Sequence, residues 1–455
     1  MRTILQGGAV VTVDPAGTEY TDGHVVVEGN RIVAVGPGPA PGVGPDDRVV
    51  DGAGCLVTPG LVNTHLHLYQ WATRGLAQEA NLFEWLTALY PVWAGLDEDV
   101  VAASSAAGLG WLARTGCTTT TDHHYVFPRD GGDLLAAEIE SAQRIGLRFH
   151  PCRGSMDLGR SAGGLPPDEV VEDIDAALTA TAAAVDRHHD ATAGSMVRVA
   201  VAPCSPFSVT ADLMREAAAL ARDRGVRLHT HLAETVEEEA YCREQFGCSP
   251  AEYVEDLGWL GPDVWLAHCV HLADKTITRF AESGTGVAHC PTSNARLGAG
   301  AAPLAALVGA GVPVGLGVDG SASNEESSMA GELHAALLVA RLRGGPTALS
   351  ARQALAVGTI GGARCLGRDD EIGSLEPGKL ADVAMWRIDS MVHAGMHDPV
   401  AALVLGARPE LAMLLVDGVA VVEDDVLLTA DETDLATAAA REARRLLDRR
   451  SEGAR

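Results

Sequence analysis

Two histidines one residue apart, His65 and His67, close an apolar run from Gly60 to His67. On an extended chain alternate side chains leave the same face, so this pair points together and can chelate. A third imidazole, His231, and a carboxylate, Asp319, close two other apolar runs. Three nitrogens and one oxygen with room for water form the donor set of a catalytic zinc site, and iron accepts the same set. Water held there falls in pKa towards about 7 and becomes a nucleophile at neutral pH. A lone strand histidine is ordinarily a hydrogen-bonded core residue. The pair, joined by a further histidine and an aspartate at run ends, points to metal-assisted hydrolysis instead. Spacing leaves one choice open, because His229 shares a strand face with His231, which lies nearer the end of its run.

Those residues need a scaffold that brings run ends together. Eight apolar or β-branched runs occur: Gly60 to His67, Cys117 to His124, Leu147 to Ser155, Val197 to Pro206, Val226 to Glu234, Val264 to Leu272, Thr285 to Asn294 and Val312 to Asn324. Most are followed by Ala-, Leu-, Glu- and Arg-rich helical stretches, so the chain reads as a βα repeat. Eight such units predict an α/β fold closed as a (β/α)8 TIM barrel over 57–370, with the site at the carboxyl ends of its strands. Residues 1–56 and 371–455 read as short strands between turns and are expected to form one smaller composite β-sandwich. A charged amphipathic helix from Glu432 to Arg450 follows it.

The chain has 455 residues, 47% of them hydrophobic, enough for a large core and a small companion domain. Its net charge of -27 and unclustered basic residues argue against nucleic acid and anionic membrane as partners. No transmembrane run or secretory leader is evident. Nine scattered cysteines without a CxxC pair suit a reduced, cytoplasmic protein. The partners expected are a small-molecule substrate and further copies of the chain. Only two lysines occur, Lys275 and Lys379, and neither ends a run. A carboxylated lysine bridging two metals is therefore unavailable to the barrel, and one divalent ion is expected, zinc with iron as the alternative.

The segments Pro59-Gly60-Leu61-Val62-Asn63-Thr64-His65-Leu66-His67, Gly317-Val318-Asp319-Gly320 and Gly373 to Asp382 resemble the amidohydrolase superfamily. The resemblance covers almost the whole chain. It implies the barrel and composite β domain, and it matches His231 rather than His229 to the ligand. The extension to Gln70, the run His231-Leu232-Ala233-Glu234 and His268 are similar to the cytosine/guanine deaminase branch. Within it, the stretches at 89–94, 122–125, 153–156, 202–209 and 319–324 resemble 8-oxoguanine deaminases, and related triazine hydrolases share several of them.

The resemblance implies hydrolytic deamination of a purine-like heterocycle, 8-oxoguanine to urate and ammonia. The alternatives are guanine, isocytosine or pterin deamination and s-triazine amino- or chlorohydrolysis. Catalytic roles fall to Glu234 and Asp319 as proton carriers and to His268 as a hydrogen-bond donor. Gln70, Trp93, His124, Arg153, Cys204 and Asn324 are expected to touch substrate, and the aromatics of Ala80 to Gly95 to form a lid. Guanine deaminases resemble Pro-Arg-Phe-Ser where this chain has Pro203-Cys204-Ser205-Pro206-Phe207-Ser208, so a cation for a purine carbonyl is missing and ordinary guanine is disfavoured.

Overall fold

The computed structural model describes residues 2–453 and contains the eight-stranded barrel. Its strands are Leu61–Asn63, Cys117–His124, Arg148–Ser155, Ala200–Pro203, Leu228–Leu232, Val264–His268, Gly286–His289 and Val314–Leu316. All neighbours are parallel, and pairing of Leu316 with Asn63 closes the ring. Parallel strands need long crossovers, which helices such as Glu98–Arg114, Leu134–Ile145, Ala211–Arg224 and Met329–Gly344 supply. Their buried faces and the strands share the largest apolar core.

Most strands are shorter than the runs that announce them. The first ends at Asn63, so His65 and His67 lie just beyond it rather than on it. The Thr285 to Asn294 run breaks after His289, and Asn294 sits in the helix Pro291–Arg296, begun by a proline that cannot continue the ladder. Burial on both faces of a parallel sheet keeps the run apolar past the last ladder hydrogen bond, so apolarity overstates strand length.

Both flanks of the chain build the small domain as one hydrogen-bonded sheet of nine strands. Cys55–Pro59 lies at its centre, parallel to Arg2–Val11 and antiparallel to Val383–Arg387. That strand carries the sheet past residue 56, and the barrel begins at Leu61. The terminal helix Glu432–Gly453 packs on the barrel helix Glu98–Arg114, with Arg445 paired to Asp97. Among the described residues no helix is long and apolar enough to cross a membrane, and all nine cysteines are free.

Candidate active site

The strand ends turn sharply where their polar residues begin. Ala233, His268 and Asp319 have φ of 50°, 69° and 60°, a left-handed conformation that costs a residue with a Cβ and that clusters at functional sites. Each turn swings a side chain across the barrel mouth, and local bonds hold it there. Asp319 donates its N–H to the His65 carbonyl at 3.0 Å. Its Oδ1 accepts from Gly320 N at 2.6 Å and its Oδ2 from Ser293 Oγ at 2.5 Å. The two oxygens of Glu238 accept from Ala233 N and Glu234 N, both at 2.8 Å, and so fix the turn that presents Glu234.

Four side chains converge. His65 Nε2 and His67 Nε2 lie 3.4 Å and 3.3 Å from Asp319 Oδ1, and His67 Nε2 lies 3.1 Å from His231 Nε2. The proton positions follow from the partners, because a backbone carbonyl only accepts. His67 Nδ1 must donate to the His123 carbonyl at 2.7 Å, and His231 Nδ1 to the Cys204 carbonyl at 2.6 Å. Both rings therefore present bare Nε2 lone pairs to each other across 3.1 Å. His65 Nε2 is buried and has no hydrogen-bond partner. Burial keeps these rings neutral: His67 is lowered to about 3, by burial and then by His65, and His231 well below the usual range. Facing lone pairs beside a carboxylate repel until a cation comes between them, so the donor set fits a divalent metal ion. His229 points elsewhere, to His65 Nδ1 and the Trp265 carbonyl.

Beside this cluster, His268 Nε2 stands 3.7 Å from Glu234 Oε2 and 4.0 Å from Asp319 Oδ2. Its Nδ1 donates to Asn294 Oδ1 at 2.9 Å. Burial pushes Glu234 up to about 7, with Asp319 adding and His268 opposing. For His268, burial works downward, but the Glu234 and Asp319 carboxylates outweigh it and raise the imidazole. Burial likewise works to raise Asp319, yet the imidazoles packed on it, His65 first and then His268, outweigh burial and hold it well below the carboxylate range.

A cavity opens on these groups. Gln70, Glu234, His268 and Asp319 line its polar side, together with Cys204 and Ser205. Leu82, Trp85, Leu86 and Tyr90 from the helix Leu82–Trp93 cover it, and Phe207 and Leu297 complete the apolar wall. Gln70 Oε1 is buried without a partner. No Arg or Lys lines the cavity among the described residues.

Four residues expected at the substrate lie outside it. Trp93 is wholly buried behind Trp85 and Tyr90 and donates Nε1 to Thr73 Oγ1 at 3.2 Å, so its ring belongs to the core. His124 spends both nitrogens, on Glu138 at 2.6 Å and the Val126 carbonyl at 2.8 Å. Arg153 forms a bidentate pair with Glu172 and stacks on Phe127. Asn324 binds the Val318 carbonyl, Glu332 and Ser327 N. Each is engaged with a neighbour within the protein, and none lines the cavity. His123 donates Nε2 to the Ala202 carbonyl at 2.8 Å and stacks on His231, leaving the cavity to Tyr125. His289 has both ring nitrogens buried and unpartnered among the described residues. Sequence reading also missed Ser293 and Glu238. Ser293 shows no signal, whereas Glu238 lies four residues after Glu234, the spacing of one helical turn.

Comparison with known proteins follows the same lines. The chain is 44% identical over 406 residues to 8-oxoguanine deaminase of Pseudomonas aeruginosa strain PAO1, covering 88% of this chain and 90% of the relative. It is 38% identical over 467 residues to isoxanthopterin deaminase from an unknown prokaryotic organism, covering 98% and 95%. Among solved structures, atrazine chlorohydrolase TrzN of Arthrobacter aurescens TC1, complexed with zinc, superposes with a TM-score of 0.92 at 34% identity, covering 97% of this chain and all of that one. Residues 56–421 match the amidohydrolase family, and with the closed barrel and the histidine–aspartate cluster at its mouth the chain belongs to that family.

Proposed function

We propose that the protein is a hydrolase of C–N bonds in cyclic amidines, an aminohydrolase that converts 8-oxoguanine and water to urate and ammonia. The observation that carries this reading is the cavity's polar set. A buried carboxyl at about 7 and a partnerless glutamine oxygen stand beside a donor cluster fit for one divalent ion, zinc by ligand type, with iron accepted. His65, His67, His231 and Asp319 would hold the ion. Lys275 pairs with Glu252 on the surface and Lys379 with Glu376, which supports a mononuclear site.

A divalent ion held there would supply Lewis acidity, lowering the pKa of a water in the site towards about 7. Asp319 accepts that water's proton. Glu234 gives a proton to the ring nitrogen as the C–O bond forms. A second transfer through Glu234 to the exocyclic nitrogen lets the C–N bond break and ammonia leave, and a carboxyl near pH 7 suits both directions. His268, held between two carboxylates that favour its protonated form, donates from Nε2 to the attacking oxygen. Gln70 reads a lactam or amidine edge with one donor and one acceptor. Cys204 is neutral, its thiol pushed up to about 12 by burial, so the wall offers no cation to a guanine-type carbonyl.

Metal-replete protein is screened against 8-oxoguanine, guanine, isocytosine, isoxanthopterin and s-triazines, reading ammonia, alkylamine and chloride. Ammonia from 8-oxoguanine above all others is expected, with loss on chelation and recovery with zinc or iron. Chloride or alkylamine release from a triazine as the dominant activity would replace this reading with the triazine one, which the fold similarity to the chlorohydrolase supports.

A further inference from the structure

His67 and His231 each have a backbone carbonyl to hold their Nδ1 protons, and His65 does not. Its Nδ1 meets His229 Nε2 at 2.8 Å instead. His229 is fully buried and stacked on Trp265 with ring centroids 4.4 Å apart and planes at 16°. Its Nδ1 lies 2.8 Å from the Trp265 carbonyl and must donate to it. A neutral ring that donates from Nδ1 has a bare Nε2, which can only accept. The proton between the rings therefore sits on His65 Nδ1, and His65 Nε2, the atom facing Asp319 at 3.4 Å, is left as a lone pair. Trp265 closes the circuit by donating Nε1 to the carbonyl of Thr64 at 2.9 Å, next to His65 in the chain.

We infer that His229 is a positioning residue: it relays the acceptor character of the Trp265 carbonyl to His65 and so fixes both the tautomer and the aim of that ring. Without an acceptor at His229 Nε2, His65 can carry its proton on Nε2 and donate to Asp319, which removes one metal lone pair and occupies another ligand. Side chains that orient a metal-bound histidine ordinarily govern affinity in this way. The inference rests on the reading of His65 as a metal ligand. The same nitrogens admit one rival arrangement, a second ion among His65, His123 and His229, whose donor atoms all lie within 4.8 Å of one another. His123 Nδ1 is indeed unpartnered. The relay uses His65 Nδ1 for a proton and leaves none of its lone pairs for such an ion.

The test compares the full-length wild type with His229→Leu, which keeps bulk and removes the acceptor, and His229→Gln, whose Oε1 restores an acceptor near the position of Nε2. Zinc content and affinity are measured by competition with dipicolinate, and the melting temperature of the metal-free protein reports folding. One zinc per wild-type chain is expected, with affinity about 10–100-fold weaker in His229→Leu and within a few-fold of wild type in His229→Gln. In metal-free wild type, 15N spectra of labelled histidine should show His65 protonated at Nδ1, with scalar coupling to His229 Nε2. Unchanged zinc affinity in a folded His229→Leu overturns the relay, as do equal losses in both variants or two ions per chain. Should His229→Leu not fold, the wild-type spectrum decides, and a proton on His65 Nε2 refutes the inference. Wild type that binds no zinc at all overturns the metal reading itself and is distinct from these outcomes.

Discussion

The two ends of the barrel both bury charge, and they treat it in opposite ways. At the amino end, fully buried Arg148 gives its five N–H groups to five acceptors: both oxygens of Asp382, Asp417 Oδ1 and the carbonyls of Gly194 and Ser195. Asp382 and Asp417 come from the small domain, so this cluster welds the sheet to the barrel. Arg368 beside it is buried against Glu371 and His150 in the same manner. At the carboxyl end, by contrast, His65 Nε2 and Gln70 Oε1 are buried with no partner, and lone pairs face one another across 3.1 Å. Buried polar groups are normally satisfied within the protein. A closed set of pairs therefore marks structure, and an open set at the mouth marks a place where something else completes the bonding.

The contrast can be broken most severely at the open end. Glu234→Gln and Asp319→Asn should each lower ammonia release by about 10²–10⁴-fold or more while circular dichroism and subunit mass stay those of wild type. Activity within tenfold of wild type in either purified variant would remove that residue from the chemistry. At the closed end the reverse is expected. Arg148→Met strands the buried Asp382 carboxylate, unpairs half-buried Asp417 and should cost about 3–5 kcal/mol of stability, read by denaturant titration, with kcat of the folded fraction unchanged.

A smaller effect separates recognition from chemistry. A Cβ on Gly320 would lie 1.8 Å from Gln70 Oε1 and 2.2 Å from its Cδ, so Gly320→Ala must push Gln70 out of the cavity. Displacement of this order should raise KM by about 10–100-fold with zinc content intact; an unaltered KM means Gln70 does not read the substrate. The smallest effect is thermodynamic. Glu234 moves from 4.5 when exposed to about 7 when folded, so the native state holds a proton that the unfolded chain has lost. Its contribution to the stability of metal-free protein is thus full below about pH 4.5 and declines as pH rises through about 7, with a slope of up to about 1.4 kcal/mol per pH unit. Glu234→Gln should flatten that slope and leave the metal-free variant more stable than wild type above pH 7, a cost of function visible in the fold.

The barrel and the histidine–aspartate cluster at its mouth were legible because both leave one-dimensional traces. Strands buried on both faces write apolar runs, and a site at their carboxyl ends writes polar residues where the runs stop, as at His67, His231 and Asp319. Where a motif named a residue without naming its partner, reading failed. His124, Arg153 and Asn324 stand in the same stretches as site residues. Their partners Glu138, Glu172 and Glu332 sit on other elements, at distances in sequence that carry no period. Glu238 is fully buried although it stands in the acidic run Glu237 to Glu239, a composition that ordinarily faces solvent.

The sequence by itself determined the fold class, the donor types and the family, since these depend on periodicity and on which residues end each run. Tertiary structure alone decided which polar side chains are already spent on one another and which are left open, because hydrogen-bond satisfaction is a property of neighbours in space. That distinction moved Trp93, His124, Arg153 and Asn324 into the framework, kept Gln70, Cys204 and Glu234 at the cavity, and separated the bare nitrogen of His231 from the occupied ones of His229 on the same strand face.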